Sequence, residues 1–137
     1  MKAYEYVVLR FVPRVDREEF VNVGIVLHSQ DAGFLDARWE VDEQRLGAFA
    51  PGCDLAAVRA ALERIRAVCR GQIGRGLPTL ERPGQRFGWI AAPRSTVVQP
   101  GPVHGGVTED PAREIERLLE RYVGPERPSG GPGLTIG

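Results

Sequence analysis

Apolar and polar positions alternate with period two in the first third of the chain and with the helical period after it. Residues 3–13 read as a strand, with Tyr4, Tyr6 and Val8 alternating with Glu5, Val7 and Leu9. Aromatic and β-branched side chains suit a pleated surface. Apolar side chains on both faces predict an interior strand, and Pro13, which has no amide to give a ladder, closes it. Asp16-Arg17-Glu18-Glu19 fits a capping box on one short helical turn, with Asp16 capping the amides and Glu19 reaching back. Phe20 and Val21 would pack that turn on the core. At Gly24 the backbone is expected to take a conformation other residues resist. Val23 to His28 and Phe34 to Val41 read as two more strands. Ser29-Gln30-Asp31-Ala32-Gly33 between them is a hairpin loop, so the two should pair antiparallel.

From Asp42 the period lengthens. Asp42 to Ala50 is a short helix ended by Pro51-Gly52. The next helix is capped by Asp54 and carries Leu55, Val58, Leu62, Ile65 and Cys69 on one face. Arg66 and Arg70 sit near its C-terminus, where the helix dipole favours cations, and Gly71 stops it. Residues 71–84 form a loop containing glycine and proline. Phe87 to Ala92 fits a helix and a strand equally. Thr96-Val97-Val98, within Ser95 to Pro102, predicts a short extended segment that Pro100 and Pro102 confine to a sheet edge. Thr108 or Asp110 caps the last helix, with Pro111 in its first turn and Ile115, Leu118, Leu119, Tyr122 and Val123 as its apolar stripe. The organisation expected is one domain over 1–124 and a disordered Gly/Pro-rich tail over 125–137. Strands grouped first and helices later predict an α+β fold, a small antiparallel sheet with helices packed on one face.

Composition adds bounds rather than a chemistry. A chain of 137 residues buries roughly two-thirds of its unfolded surface, enough to fold without disulfides or a metal. No apolar run approaches the roughly 20 residues of a membrane helix, and the first residues carry no signal-peptide stretch, so a cytoplasmic protein off the membrane is expected. Two cysteines, Cys53 and Cys69, are too few for a disulfide scaffold. With His28 and His104 they show no metal-ligand spacing, so neither a metal nor another cofactor is expected. Net charge is zero but uneven: residues 59–94 hold 8 arginines against Glu63 and Glu81, between two acidic flanks. Zero overall charge, a single lysine and few aromatics in the basic stretch argue against nucleic acid.

Two polar groups are candidates for binding. One is Arg10, Arg14, Glu18, Glu19 and Asn22, on the first strand and the turn leaving it. Arginine beside an amide and a capped turn suits a carboxylate or phosphate. The competing reading is a local network that fixes the strand-turn-strand connection. The other group is Arg94, Ser95, Gln99 and His104, on an extended, proline-rich loop. If it meets Arg10 or Arg14 across the sheet, an anion site follows, with His104 as a candidate acid or base. Otherwise its polar groups serve their own backbone. Neither group is a complete catalytic set.

Val12-Pro13-Arg14 through Glu19-Phe20-Val21-Asn22-Val23-Gly24-Ile25-Val26-Leu27 resembles a bacterial family known as domain of unknown function 3037. Ala92-Pro93-Arg94-Ser95 through Gln99-Pro100-Gly101-Pro102-Val103-His104 and the helix opening Thr108-Glu109-Asp110-Pro111 are similar to it as well, so the resemblance spans most of residues 4–123. It implies no activity. It does imply a partner, since members of the family lie beside genes for kinase-like proteins similar to the HipA toxin, and hence an accessory or antitoxin-like role. The leading expectation is a non-catalytic interaction module binding a kinase-like protein through the Arg14–Asn22 turn and the Arg94–His104 loop. The alternatives are a small enzyme or sensor for a phosphate- or carboxylate-bearing ligand and, more weakly, a nucleic-acid binder.

Overall fold

The first strand is the middle of the sheet. In the computed structural model, which describes residues 1–94 and 96–125, β1 (Lys2–Phe11) pairs antiparallel with β2 (Val21–Ser29), and β2 with β3 (Phe34–Trp39). The other edge of β1 is shared by two strands. β4 (Val98–Pro100) runs antiparallel to Leu9–Phe11, and β5 (His104–Thr108) to Lys2–Tyr6. β5 corrects the expectation of a loop before the last helix. Its Gly105-Gly106 pair hides a strand from propensity, and pairing with β1 supplies what local preference lacks. Ser95 and residues 126–137, where the disordered tail was expected, lie outside the described residues.

The described residues form four helices, and the second and fourth start at caps read from the sequence. Asp42 Oδ1 accepts from Arg45 N (3.0 Å) at the start of α1 (Glu43–Phe49), and Asp54 Oδ1 from Ala57 N (3.0 Å) at the start of α2 (Leu55–Cys69). The ambiguous Phe87 segment belongs to α3 (Pro83–Ala91): Pro83 takes the first turn and Gln85 Oε1 accepts from Arg82 N (3.3 Å). α4 (Pro111–Tyr122) is capped by Asp110, not Thr108, through Ala112 N (3.1 Å) and Arg113 N (3.3 Å). Among the described residues no helix is long and apolar enough to cross a membrane.

The α+β class with an antiparallel sheet stands, but the helices cover both faces of that sheet rather than one. Val7, Leu9 and Phe11 of β1 meet Leu46 of α1, Val58 and Leu62 of α2, and Phe87 and Ile90 of α3. Tyr6 and Val8 point the other way, where with Ile25 and Leu27 they meet Ile115, Leu118 and Leu119 of α4. A strand buried on both faces needs a cover on each.

A bulge sets which side chains go where. Leu9 pairs with Gly24 but Arg10 pairs with Asn22, so Val23 is an extra residue in β2. Ile25 and Leu27 face α4, whereas Val21 and Val23 join the opposite core. The bulge reverses the alternation and leaves Asn22 on the α4 side, where its Nδ2 donates to Tyr122 O (3.2 Å). The need for glycine at 24 is one of space rather than unusual dihedrals. A Cβ there would stand 2.8 Å from Arg38 O and 3.0 Å from Trp39 Cβ.

The expected capping box at residues 16–19 does not form. The chain makes one 3-10 turn over Val15–Arg17, and Glu18 already lies in the left-handed region (φ 53°). The turn ends before Glu19 could occupy a third helical position. Asp16 instead takes the Arg14 guanidinium (2.9 Å), and Glu19 pairs with Arg17.

Gly24→Ala should lower unfolding free energy by about 1–3 kcal/mol through overpacking. Gly47→Ala, inside α1 with nothing within 4 Å of the new Cβ, should raise it by up to ~1 kcal/mol. Urea denaturation of both variants checks the pair. Equal effects would contradict the steric account of Gly24.

Candidate functional site

Period two carries β1 from Tyr4, Tyr6 and Val8 on the α4 face to Arg10 on the same face. α4 packs chiefly on β2 and β3, and its last residue, Tyr122, is bonded by Asn22, the register partner of Arg10. In register, Arg10 stands between Asn22 of β2 and Gln99 of β4. Parts of the two distant sequence stretches therefore do meet. The Arg10 guanidinium lies over the Phe20 ring, 4.0 Å from its centroid. Gly101, whose amide donates to Val8 O (2.8 Å), lies so close that a Cβ there would stand 3.0 Å from Arg10 Cζ. Gln99 Nε2 donates to Thr96 O (3.0 Å). The Arg10 side chain makes no hydrogen bond and no ion pair among the described residues, and its Nε is buried without an acceptor.

His104 does not join this group. It pairs with Tyr6, four residues back along β1, which at about 3.3 Å per residue is roughly 13 Å away. Its exposed ring lies 5.1 Å from the Tyr6 ring, centroid to centroid. The Tyr6 and Tyr122 hydroxyls are hydrogen-bonded at 2.9 Å, and burial, then the Tyr122 hydroxyl, push the Tyr6 phenol well above its usual range. Tyr4 donates to Glu114 Oε2 (2.6 Å), and burial with that carboxylate raises its pKa too. Glu114 moves down because hydrogen bonds from Arg117, and after them Tyr4, outweigh its burial.

Arg14 and Glu19 sit elsewhere, at the mouth of a cleft of about 510 Å³ on the side of α1. Phe11, Phe49 and Val97 make its apolar wall, and the pairs Arg14–Asp16 and Arg17–Glu19 flank it. Arg17 holds the Glu19 carboxyl below its usual range. Glu18 is exposed at the end of the turn.

Arg94 is spent on its own helix. It lies over the Trp89 ring (4.1 Å) and donates to Trp89 O and Ala92 O. Burial, then Arg64, lowers its pKa. Ser95 lies outside the described residues. Several of the middle arginines are similarly engaged: Arg59 pairs with Glu43 (3.1 Å), Arg64 donates to Gly76 O, and Arg66 lies over Trp39 (4.0 Å). Among the described residues no three His, Cys, Asp or Glu side chains gather where they could hold a metal ion.

Of the eight expected residues, Arg10, Asn22 and Gln99 come together, Arg14 and Glu19 share the cleft, Arg94 and His104 stand apart, and Ser95 lies outside the described residues. Sequence reasoning missed Phe20, Gly101 and Phe49 as site residues. Phe20 read as core yet is exposed, Phe49 at the end of α1 is exposed as well, and only the register places Gly101 against Arg10.

Burial pushes the Cys69 thiol up to about 12, while Cys53 is only half-buried. A thiol reagent on the native protein should label Cys53 quickly and Cys69 only on unfolding. Two equal rates would contradict the packing of α2. Glu114, with its folded pKa depressed, stabilises the fold fully above the usual carboxylate range and loses that effect as pH falls through its folded value. The stability difference between wild type and Tyr4→Phe, measured by denaturation at stepped pH, should therefore shrink in acid.

No curated protein and no solved structure matches this chain. A family model described as protein of unknown function (DUF3037) matches residues 6–123. The matched region takes in the Val12–Leu27 and Ala92–His104 stretches and all of the sheet but the first residues of β1, and the chain belongs to the DUF3037 family.

Proposed function

We propose that this chain is a non-catalytic interaction module that seats a kinase-like partner protein in the cleft beside the Val15–Arg17 turn. The observation that carries the reading is the make-up of that cleft. An apolar wall of Phe11, Phe49 and Val97 is flanked by two ion pairs that bring both signs of charge to its edge. An apolar centre within a polar rim is the usual anatomy of a protein interface. Val15 and Phe49 remain exposed at the turn and at the end of α1, where a partner would cover them. The arginines at this cleft are already neutralised locally, which favours recognition by shape and apolar contact over capture of a charged metabolite. The kinase-like identity of the partner rests on the sequence resemblance.

The test mixes the full chain with a kinase-like protein similar to the HipA toxin and measures affinity by calorimetry. Phe49→Glu should weaken binding about tenfold or more, as loss of a central aromatic anchor does. Ile73→Glu, on an exposed loop position outside the cleft, should leave it unchanged. Absence of a complex, or one indifferent to Phe49→Glu, would overturn the proposal.

A further inference from the structure

Arg10 presents a different problem from every other arginine near the candidate sites. Its side chain is partly buried in the sheet face, its Nε reaches no acceptor, and no carboxylate among the described residues pairs with it. Leaving a buried guanidinium N–H without an acceptor is costly, and the Phe20 ring at 4.0 Å offsets only part of that cost. The surroundings hold the group in one place. Phe20 covers one side, the Gly101 backbone approaches from another, and Asn22 and Gln99 flank it in register. Both amide side chains are tied by their Nδ2 or Nε2 to main-chain carbonyls, which orients them.

We propose that Arg10 is the centre of an oxyanion-binding site on the α4 face, taking a carboxylate or a phosphoryl group through the guanidinium fork. Such a fork matches the two oxygens of either group, and a fixed guanidinium loses less freedom on binding. Glycine at 101 belongs to the site because any side chain there would crowd the guanidinium. The site is separate from the cleft, so it stands or falls independently of the interaction module proposed above.

The experiment titrates the full chain with inorganic phosphate and, separately, with acetate, each at constant ionic strength balanced by sodium chloride. The readout is the NMR signal of the Arg10 Nε–H group. A saturable shift beyond that caused by chloride is expected. Response to both anions supports the shared chemistry, response to phosphate alone narrows the ligand to a phosphoryl group, and response to acetate alone narrows it to a carboxylate. For variants, binding is read from the backbone amides of Asn22, Gln99 and Gly101. Arg10→Gln should abolish it. Arg10→Lys, which keeps the charge without the fork, should weaken it about tenfold. Gly101→Ala should weaken it while leaving the charge intact, and it keeps the test decisive if the Arg10 variants fail to fold. Arg75→Gln, in the loop before α3, should behave as wild type. The proposal is overturned if neither anion moves the Arg10 signal more than chloride does, or if the folded Arg10→Gln or Gly101→Ala chain responds as the wild type does.

Discussion

Everything in this molecule hangs on β1 being hydrogen-bonded along both edges and packed on both faces. Tyr6, Val7, Val8, Leu9 and Phe11 are all buried, and their alternation sends them into two separate cores. A strand so placed can satisfy its backbone only if partners run along both sides. β2 does so on one side, and β4 and β5 do so in succession on the other. The two helical layers then have no sheet surface in common. α1, α2 and α3 cover one face, and α4 covers the opposite one.

The bulge in β2 converts this scaffold into one with two distinct polar regions. Were β2 paired regularly, Val23 would stand opposite Arg10 and Asn22 opposite Phe11, pointing into the core. With the bulge, Asn22 turns toward α4 and anchors Tyr122, while Val21 and Val23 fill the larger core. The same shift places an amide beside Arg10. Arg45 adds a second side-chain donor at the end of α4, bonding Val123 O at 3.3 Å, so the last turn of that helix is held from both β2 and α1. Arg38, bonded to Asp36 and to Glu116 (2.8 Å), ties α4 to β3 as well. The end of α4, which borders the Arg10 region, is thus fixed rather than free to close over it.

Electrostatics separates the candidate residues by what they already hold. Arg14 and Arg17 are paired with acidic neighbours two residues away, and Arg94 is folded back onto Trp89 and main-chain carbonyls. Such groups offer a partner shape and a balanced rim. Arg10, by contrast, has an aromatic face and no anion among the described residues. The cleft and the Arg10 face therefore lend themselves to different kinds of recognition.

The elements were legible wherever local chemistry decides. Alternation marked the first three strands, and Asp42, Asp54 and Asp110 marked helix starts because a carboxylate next to free amides is a local interaction. The Asp16–Glu19 pattern misled because the same side chains find closer arginine partners in a shorter turn. β5 was hidden because its glycines carry no strand preference of their own. Arg10, Asn22 and Gln99 could each be named as polar residues near a turn, but nothing in their spacing says that they are neighbours. By itself the sequence determined the first three strands, the helices α1, α2 and α4, the interior position of β1 and the family, all encoded in residue type and period. Only the tertiary structure decided which polar residues meet, that Arg10 stands between Asn22 and Gln99, and which face each helix covers, because strand register and the bulge are properties of pairing between distant segments.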